Sequence, residues 1–159
     1  MASNISRNQP VSLLDQMAIE DLMKKYCYFF DRNMPKELSE LFTIDAQVDY
    51  GPEVNTLKGQ EQIFEMVSEG LSNTFIATSH HISNFLILNS DESTANSSCY
   101  LYAWHQYKNQ SEIGHLWGGY ENEFEKTSIG WLIKSLRLYA VSTINFHRDT
   151  MHSINRRKF

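Results

Sequence analysis

Ser79-His80-His81-Ile82-Ser83-Asn84-Phe85-Leu86-Ile87-Leu88 is the stretch at which the apolar pattern of this 159-residue chain changes from helical spacing to period two. In a strand, alternation puts His80, Ile82, Asn84, Leu86 and Leu88 on one face and His81, Ser83, Phe85 and Ile87 on the other. The two histidines therefore meet different surroundings. An imidazole titrates near neutral pH, and one held by a sheet against a closed apolar cavity is placed for general acid or base work. The plainer reading is a pair of hydrogen-bonded sheet residues, and the rest of the chain has to decide between the two.

Downstream, four strands are expected at about 79–89, 93–107, 112–126 and 131–141. The polar turns Asn89-Ser90-Asp91-Glu92, Lys108-Asn109-Gln110-Ser111 and Thr127-Ser128-Ile129-Gly130 are of hairpin length, so the strands should form an antiparallel meander. Cys99, Leu101, Ala103 and His105 share one face of the second strand, and Ile113, His115 and Trp117 one face of the third. Gly118-Gly119 within a strand points to a bulge or bend that curls the sheet.

Upstream, Ser12 with Asp15 is an approximate capping box, and Leu14, Ala18, Leu22, Tyr26 and Phe29 recur at helical spacing, predicting a helix over about 12–31. Its end, Tyr26-Cys27-Tyr28-Phe29-Phe30-Asp31, puts a carboxylate at the negative end of the helix dipole, which requires a compensating donor or cation. A short helix from Pro35 carries Leu38, Leu41 and Phe42 inward, and Ala46–Tyr50 reads as a strand stopped by Gly51-Pro52. Ile63, Val67 and Leu71 mark a third helix. The fold class is α+β, a cone in which a curved antiparallel sheet packs on three N-terminal helices. Residues 1–11 are expected to be a flexible leader, 12–145 one domain and 146–159 a C-terminal tail.

Composition narrows the function. An apolar fraction of 42% with eight Tyr and nine Phe suits a globular chain with an aromatic-rich interior able to enclose a pocket. The net charge of −5 argues against nucleic acid or an anionic membrane surface as partner. Cys27 and Cys99 form no disulfide framework or metal pattern and read as buried thiols. There is no secretion signal or membrane span, so a cytoplasmic protein is expected. The histidines lack zinc-helix spacing and no nucleotide-binding glycine motif is present, so no metal and no cofactor is expected.

The candidate catalytic set is Asp31, Tyr50, His80 and His105, each from a different element. A carboxylate bonded to one imidazole nitrogen fixes the tautomer and leaves the other nitrogen as base, while a phenol can donate to a carbonyl oxygen as enolate charge develops. Those parts suffice to remove a proton beside a carbonyl and expel a neighbouring hydroxyl. Tyr100, Tyr102 and Trp104 form an outer aromatic stripe, read as a ligand platform, core or interface.

The helix ending in Phe30-Asp31, the strand ending in Asp49-Tyr50-Gly51, His80-x-x-x-Asn84, His105-Gln106-Tyr107-Lys108 and the Trp117-Gly118-Gly119-Tyr120 to Gly130-Trp131 hairpin together resemble the SnoaL-like family. This family lies in the nuclear transport factor 2-like superfamily, and the motif layout is most similar to the scytalone dehydratases, with Phe30 standing where those enzymes have a tyrosine. The resemblance implies a cone-shaped barrel, a deep pocket and cofactor-free lyase or isomerase chemistry on a hydrophobic ring or polyketide-derived carbonyl compound. His80 would be the base, Asp31 its orienter, Tyr50 a carbonyl donor, and His105 either a partner of Asp31 or the acid assisting the leaving hydroxyl. Tyr26, Phe30, Asn84, Trp117 and Phe146 would line the substrate, with the tail closing over it. A cyclase or isomerase using the same residues stays open, as does a non-catalytic binding or assembly module. A homodimer or homotrimer is expected, paired through the outer aromatic stripe.

Overall fold

The computed structural model describes residues 11–154. Helix α1 spans Leu13–Asp31, α2 Pro35–Ser39 and α3 Gly59–Asn73. The strands are β1 (Phe42–Asp49), β2 (Leu57–Lys58), β3 (Phe75–Ser90), β4 (Thr94–Tyr107), β5 (Gly114–Thr127) and β6 (Gly130–Ile144). They form one curved, unclosed sheet in the order β2-β1-β6-β5-β4-β3, antiparallel throughout except where β1 runs parallel to β6. The helices pack on its inner face, so the α+β class and the meander of β3 to β6 are as the periodicity requires.

Ser12 caps α1, its Oγ accepting from the Asp15 N–H at 3.1 Å. Asp15 in turn accepts from the Trp131 indole at 2.7 Å, tying the start of the helix to β6. The buried stripe of α1 is Ile19, Leu22, Met23, Tyr26 and Cys27, rather than one starting at Leu14 and Ala18, both of which are exposed. Fully buried Phe42, Phe124 and Ile133 fill the space between helices and sheet, where truncating a phenylalanine to alanine costs about 3–5 kcal/mol. Of the expected leader, Val11 is buried and its N–H donates to Ser90 Oγ at 3.3 Å, while residues 1–10 lie outside the described residues.

Two of the sheet's register shifts bear on the expected faces. In β3 the pairing with β4 shifts between Ser83 and Leu86, and Asn84 adopts φ 51°. This one-residue bulge reverses the alternation, so Phe85 and Ile87 pack on the core while Leu86 and Leu88 are exposed, the opposite of the expected faces beyond Asn84. The second lies opposite Gly118, where β6 carries Val141 as an extra residue. A Cβ on Gly118 would stand 2.0 Å from the Tyr139 carbonyl oxygen, so only glycine allows that close backbone approach.

After β6 the chain folds back over one end of the cone. His152 returns its carbonyl to the Ala140 N–H (2.8 Å), and its ring bonds both Asp49 carboxylate oxygens at 2.9 Å. Thr150 Oγ1 bonds Glu53 at 2.7 Å. The tail is thus ordered against the domain through residue 154, and 155–159 lie outside the described residues. No helix among the described residues is long and apolar enough to cross a membrane.

Candidate active site

Asp31, the carboxylate at the unfavourable end of α1, finds its compensating donors on β3. Its Oδ1 accepts from Thr78 Oγ1 at 2.8 Å and from His80 Nδ1 at 2.7 Å, and its Oδ2 from the His80 backbone N–H at 2.8 Å. Burial pushes the Asp31 carboxyl up, but the hydrogen bonds and charge of His80, aided by Thr78, outweigh it and hold the group below its ordinary value. The acid is therefore ionised at neutral pH, and it fixes the His80 proton on Nδ1.

The other nitrogen, His80 Nε2, turns inward and lies 3.4 Å from His105 Nε2. His105 is buried, and burial first, then the charges of His80 and His147, push it down to about 2, so it is neutral across the working pH range. Its Nδ1 is buried without a partner. An unbonded lone pair is better tolerated than an unbonded N–H, so the network assigns the His105 proton to Nε2, directed at His80. His105 makes no hydrogen bond to Asp31, contrary to one of its expected roles, because His80 stands between them.

Tyr50 follows β1 and shares a 2.7 Å hydroxyl–hydroxyl bond with Tyr26 of α1. Burial pushes Tyr50 up to about 12 and Tyr26 well above its ordinary value, so both stay protonated. Two protons and one shared bond leave one O–H free to donate to a ligand oxygen.

These groups surround a cavity of about 350 Å³. Of the sequence-predicted residues, Tyr26, Phe30, Tyr50, His80, His105 and Phe146 line it, and Asp31 sits behind His80. Asn84 does not: it occupies the bulge and is exposed. Trp117 does not either, being 40% exposed on the outer face, where it stacks on His115 with ring centres 5.6 Å apart. The residues missed from sequence include Met66 and Val67 of α3, Phe75, Tyr120, His147 and Arg148. Val67 was marked as inward by its helical spacing, and Phe75 and Tyr120 were legible only as aromatic residues. The apolar-poor tail around Arg148 carried no periodic signal. Among the described residues no three His, Cys, Asp or Glu side chains come together as a metal-holding set.

The arrangement is thus a carboxylate-oriented imidazole facing an apolar cavity, with a protonated tyrosine pair also on its wall. A model of the SnoaL-like domain matches residues 11–137, and the chain belongs to that family. It is similar to a Novosphingobium aromaticivorans protein provisionally named a scytalone dehydratase, at 32% identity over 92% of this chain and 97% of that one, with a TM-score of 0.85. A hexachlorocyclohexane dehydrochlorinase from Novosphingobium barchaimii shares the fold at 17% identity, covering 91% of this chain and 100% of that one, with a TM-score of 0.76. A cystatin-like protein of unknown function from Nostoc punctiforme does so at 18% identity, over 82% and 93% of the two chains, with a TM-score of 0.69. No curated protein gives a significant match.

Proposed function

We propose that this chain is a cofactor-independent lyase, a dehydratase acting on a hydrophobic cyclic or polyketide-derived carbonyl compound. The observation that carries the reading is the Asp31–His80 pair at 2.7 Å, with His80 Nε2 facing a cavity large enough for a ring substrate. His80 Nε2 takes a proton from the carbon beside the substrate carbonyl. Ionised Asp31 stabilises the imidazolium that forms. The free hydroxyl of the Tyr26–Tyr50 pair donates to the carbonyl oxygen as enolate charge builds there. The imidazolium returns its proton to the departing hydroxyl, and water leaves. His105, being neutral, does not compete for the proton, and its long 3.4 Å contact with His80 Nε2 gives way to the substrate C–H, so that the single lone pair there is free to accept.

The names of two similar proteins, a dehydratase and a dehydrochlorinase, support elimination as the reaction type. A cyclase or isomerase would use the same proton transfer. Incubation with a panel of cyclic hydroxy-ketones followed by mass spectrometry separates the two: a product lighter by one water supports dehydration, and a product of unchanged mass overturns it in favour of rearrangement. A non-catalytic module would leave every panel member intact. The reading also includes a homo-oligomer paired through the outer sheet face, where Tyr100 is 56% exposed beside Tyr102 and Trp104.

A further inference from the structure

The cavity wall carries a cation for which the proton transfer at His80 has no use. Arg148, on the tail, is half-buried there, its Nη1 donating to the Tyr50 carbonyl oxygen at 2.5 Å and its guanidinium carbon 5.7 Å from the centre of the Tyr50 ring. A guanidinium offers five N–H donors in a planar fork. Among the described residues one protein acceptor meets it and no carboxylate lies within 4.0 Å of it. Two acids of this region are otherwise placed. Glu53 accepts from the Thr150 N–H and hydroxyl, and Glu69 stands exposed at the rim of the cavity.

An arginine withdrawn from water without a counter-ion is unfavourable unless something supplies the charge. If its job were only to hold the tail to the Tyr50 carbonyl, a neutral donor would serve and the cation would be a needless expense. Its other N–H groups are not among the sealed, partnerless polar atoms of the interior, and the residue lines the cavity. His147, beside it, is shifted below its ordinary value by desolvation first and then by the arginine's charge. The neighbouring walls, Phe75, Phe146 and the Tyr50 ring, suit the body of an aromatic or alicyclic acid rather than a heavily hydrated anion.

We propose that Arg148 is the recognition group for a carboxylate carried by the ring substrate, so that the cavity takes cyclic acids in preference to their neutral counterparts. This deepens the dehydratase reading by naming the class of substrate, and it rests on that reading for the identity of the site. The planar fork fits a carboxylate through two parallel N–H···O bonds, the geometry that distinguishes arginine from lysine.

The test uses the full chain and two probes of the same shape, 2-naphthoate and the neutral 2-naphthamide, with affinities measured by calorimetry. Charge-assisted bidentate bonding predicts that the wild-type chain binds naphthoate about 10- to 100-fold more tightly than the amide. In Arg148→Met the ratio should fall to about one, chiefly through loss of naphthoate binding, while Arg148→Lys keeps part of it. Equal affinity for the two probes in the wild-type chain, or a preference that survives Arg148→Met, overturns the proposal. If Arg148→Met fails to fold, a crystal structure of the wild-type chain with naphthoate decides: a carboxylate on the guanidinium supports the assignment and one bound elsewhere sinks it. Binding requires no turnover, so a chain that selects naphthoate through Arg148 yet dehydrates nothing loses the reaction assigned to His80 and keeps this one.

Discussion

The two faces of the sheet carry the same side chain in different company. On the inner face, His80 has an ionised carboxylate on one nitrogen and the cavity beside the other, and His105 backs it. On the outer face, His81 bonds the Ser79 hydroxyl at 2.8 Å and His115 the Tyr102 hydroxyl at 2.8 Å. His81 and His115 pack on Tyr102, and His115 also stacks on Trp117. The tail supplies a third case, in which His152 pairs with Asp49 at 2.9 Å but lies away from the cavity lining. A carboxylate partner without a cavity is a clamp, and an imidazole with neither is a packing residue. Only the conjunction makes a candidate base.

The largest effect that sharpens this contrast is His80→Ala against His81→Ala, adjacent residues on opposite faces. On any substrate found by the mass screen, kcat/KM should drop by about 10²–10⁴-fold for the first. It should move less than about 2-fold for the second, with circular dichroism unchanged in both. Comparable losses in the two variants would erase the distinction. Next comes Asp31→Asn, which keeps the shape and removes the charge. Here kcat should fall about 10²-fold with little change in KM, since the loss lies in stabilising the imidazolium. In Asp49→Asn the rate constant of the chemical step should be retained, because that pair only secures the tail.

A smaller effect concerns stability against pH. His105 is neutral in the fold with its value pushed down to about 2, from an ordinary 6.5. Below about pH 6.5 the unfolded chain therefore binds a proton that the folded chain does not, and stability falls as pH falls. The loss approaches about 1.4 kcal/mol per pH unit, or about 2 kcal/mol between pH 7 and pH 5. Urea unfolding at those two pH values should show this, and His105→Phe should flatten the dependence relative to the wild-type chain. Asp31 acts in the same direction at lower pH: its stabilisation is present above the ordinary carboxylate value and is lost as pH falls through its depressed one. Least in effect on chemistry is Tyr100→Glu on the outer face. It should weaken self-association in sedimentation velocity while leaving turnover per chain almost unchanged; a wild-type chain that sediments as a monomer would remove the outer face from the assembly.

The inner face was largely legible before the structure because its signals are local. A carboxylate at the C-terminal end of a helix is anomalous on dipole grounds, and the anomaly led to His80, 49 residues away. The period-two patterns of Cys99, Leu101, Ala103 and His105 survived intact because β4 pairs with β5 without a break. Register accounts for the misplacement in β3. Nothing in Asn84-Phe85 alone reveals that one residue bulges out of the ladder, yet that residue exchanges the faces of Phe85 to Leu88, until a second shift after Ile87 restores the alternation, and leaves Asn84 outside the cavity. Trp117 has a different cause: its register with β4 is unbroken and it shares a face with His115 as expected, but an aromatic residue near a glycine pair fits a pocket or a surface equally well. Arg148 escaped notice because its position depends on long-range bonds to Tyr50 and on its neighbours' bonds to Asp49 and Glu53, not on any periodicity of the tail itself.

Those bonds make the segment after β6 a ligand of its own domain. Held at both ends of its crossing, by Ala140 with His152 and by Arg148 with Tyr50, it occupies its groove at an effective concentration in the mM range, as short tethers provide. Cutting the chain after Asn145 would therefore leave a vacancy that a free peptide of residues 146–154 refills only when supplied at about mM concentration. Such a peptide carries Phe146 and Arg148 with it. It would act on the trimmed chain as an activator added in trans, turning one continuous polypeptide into a two-component reagent whose output is set by dose.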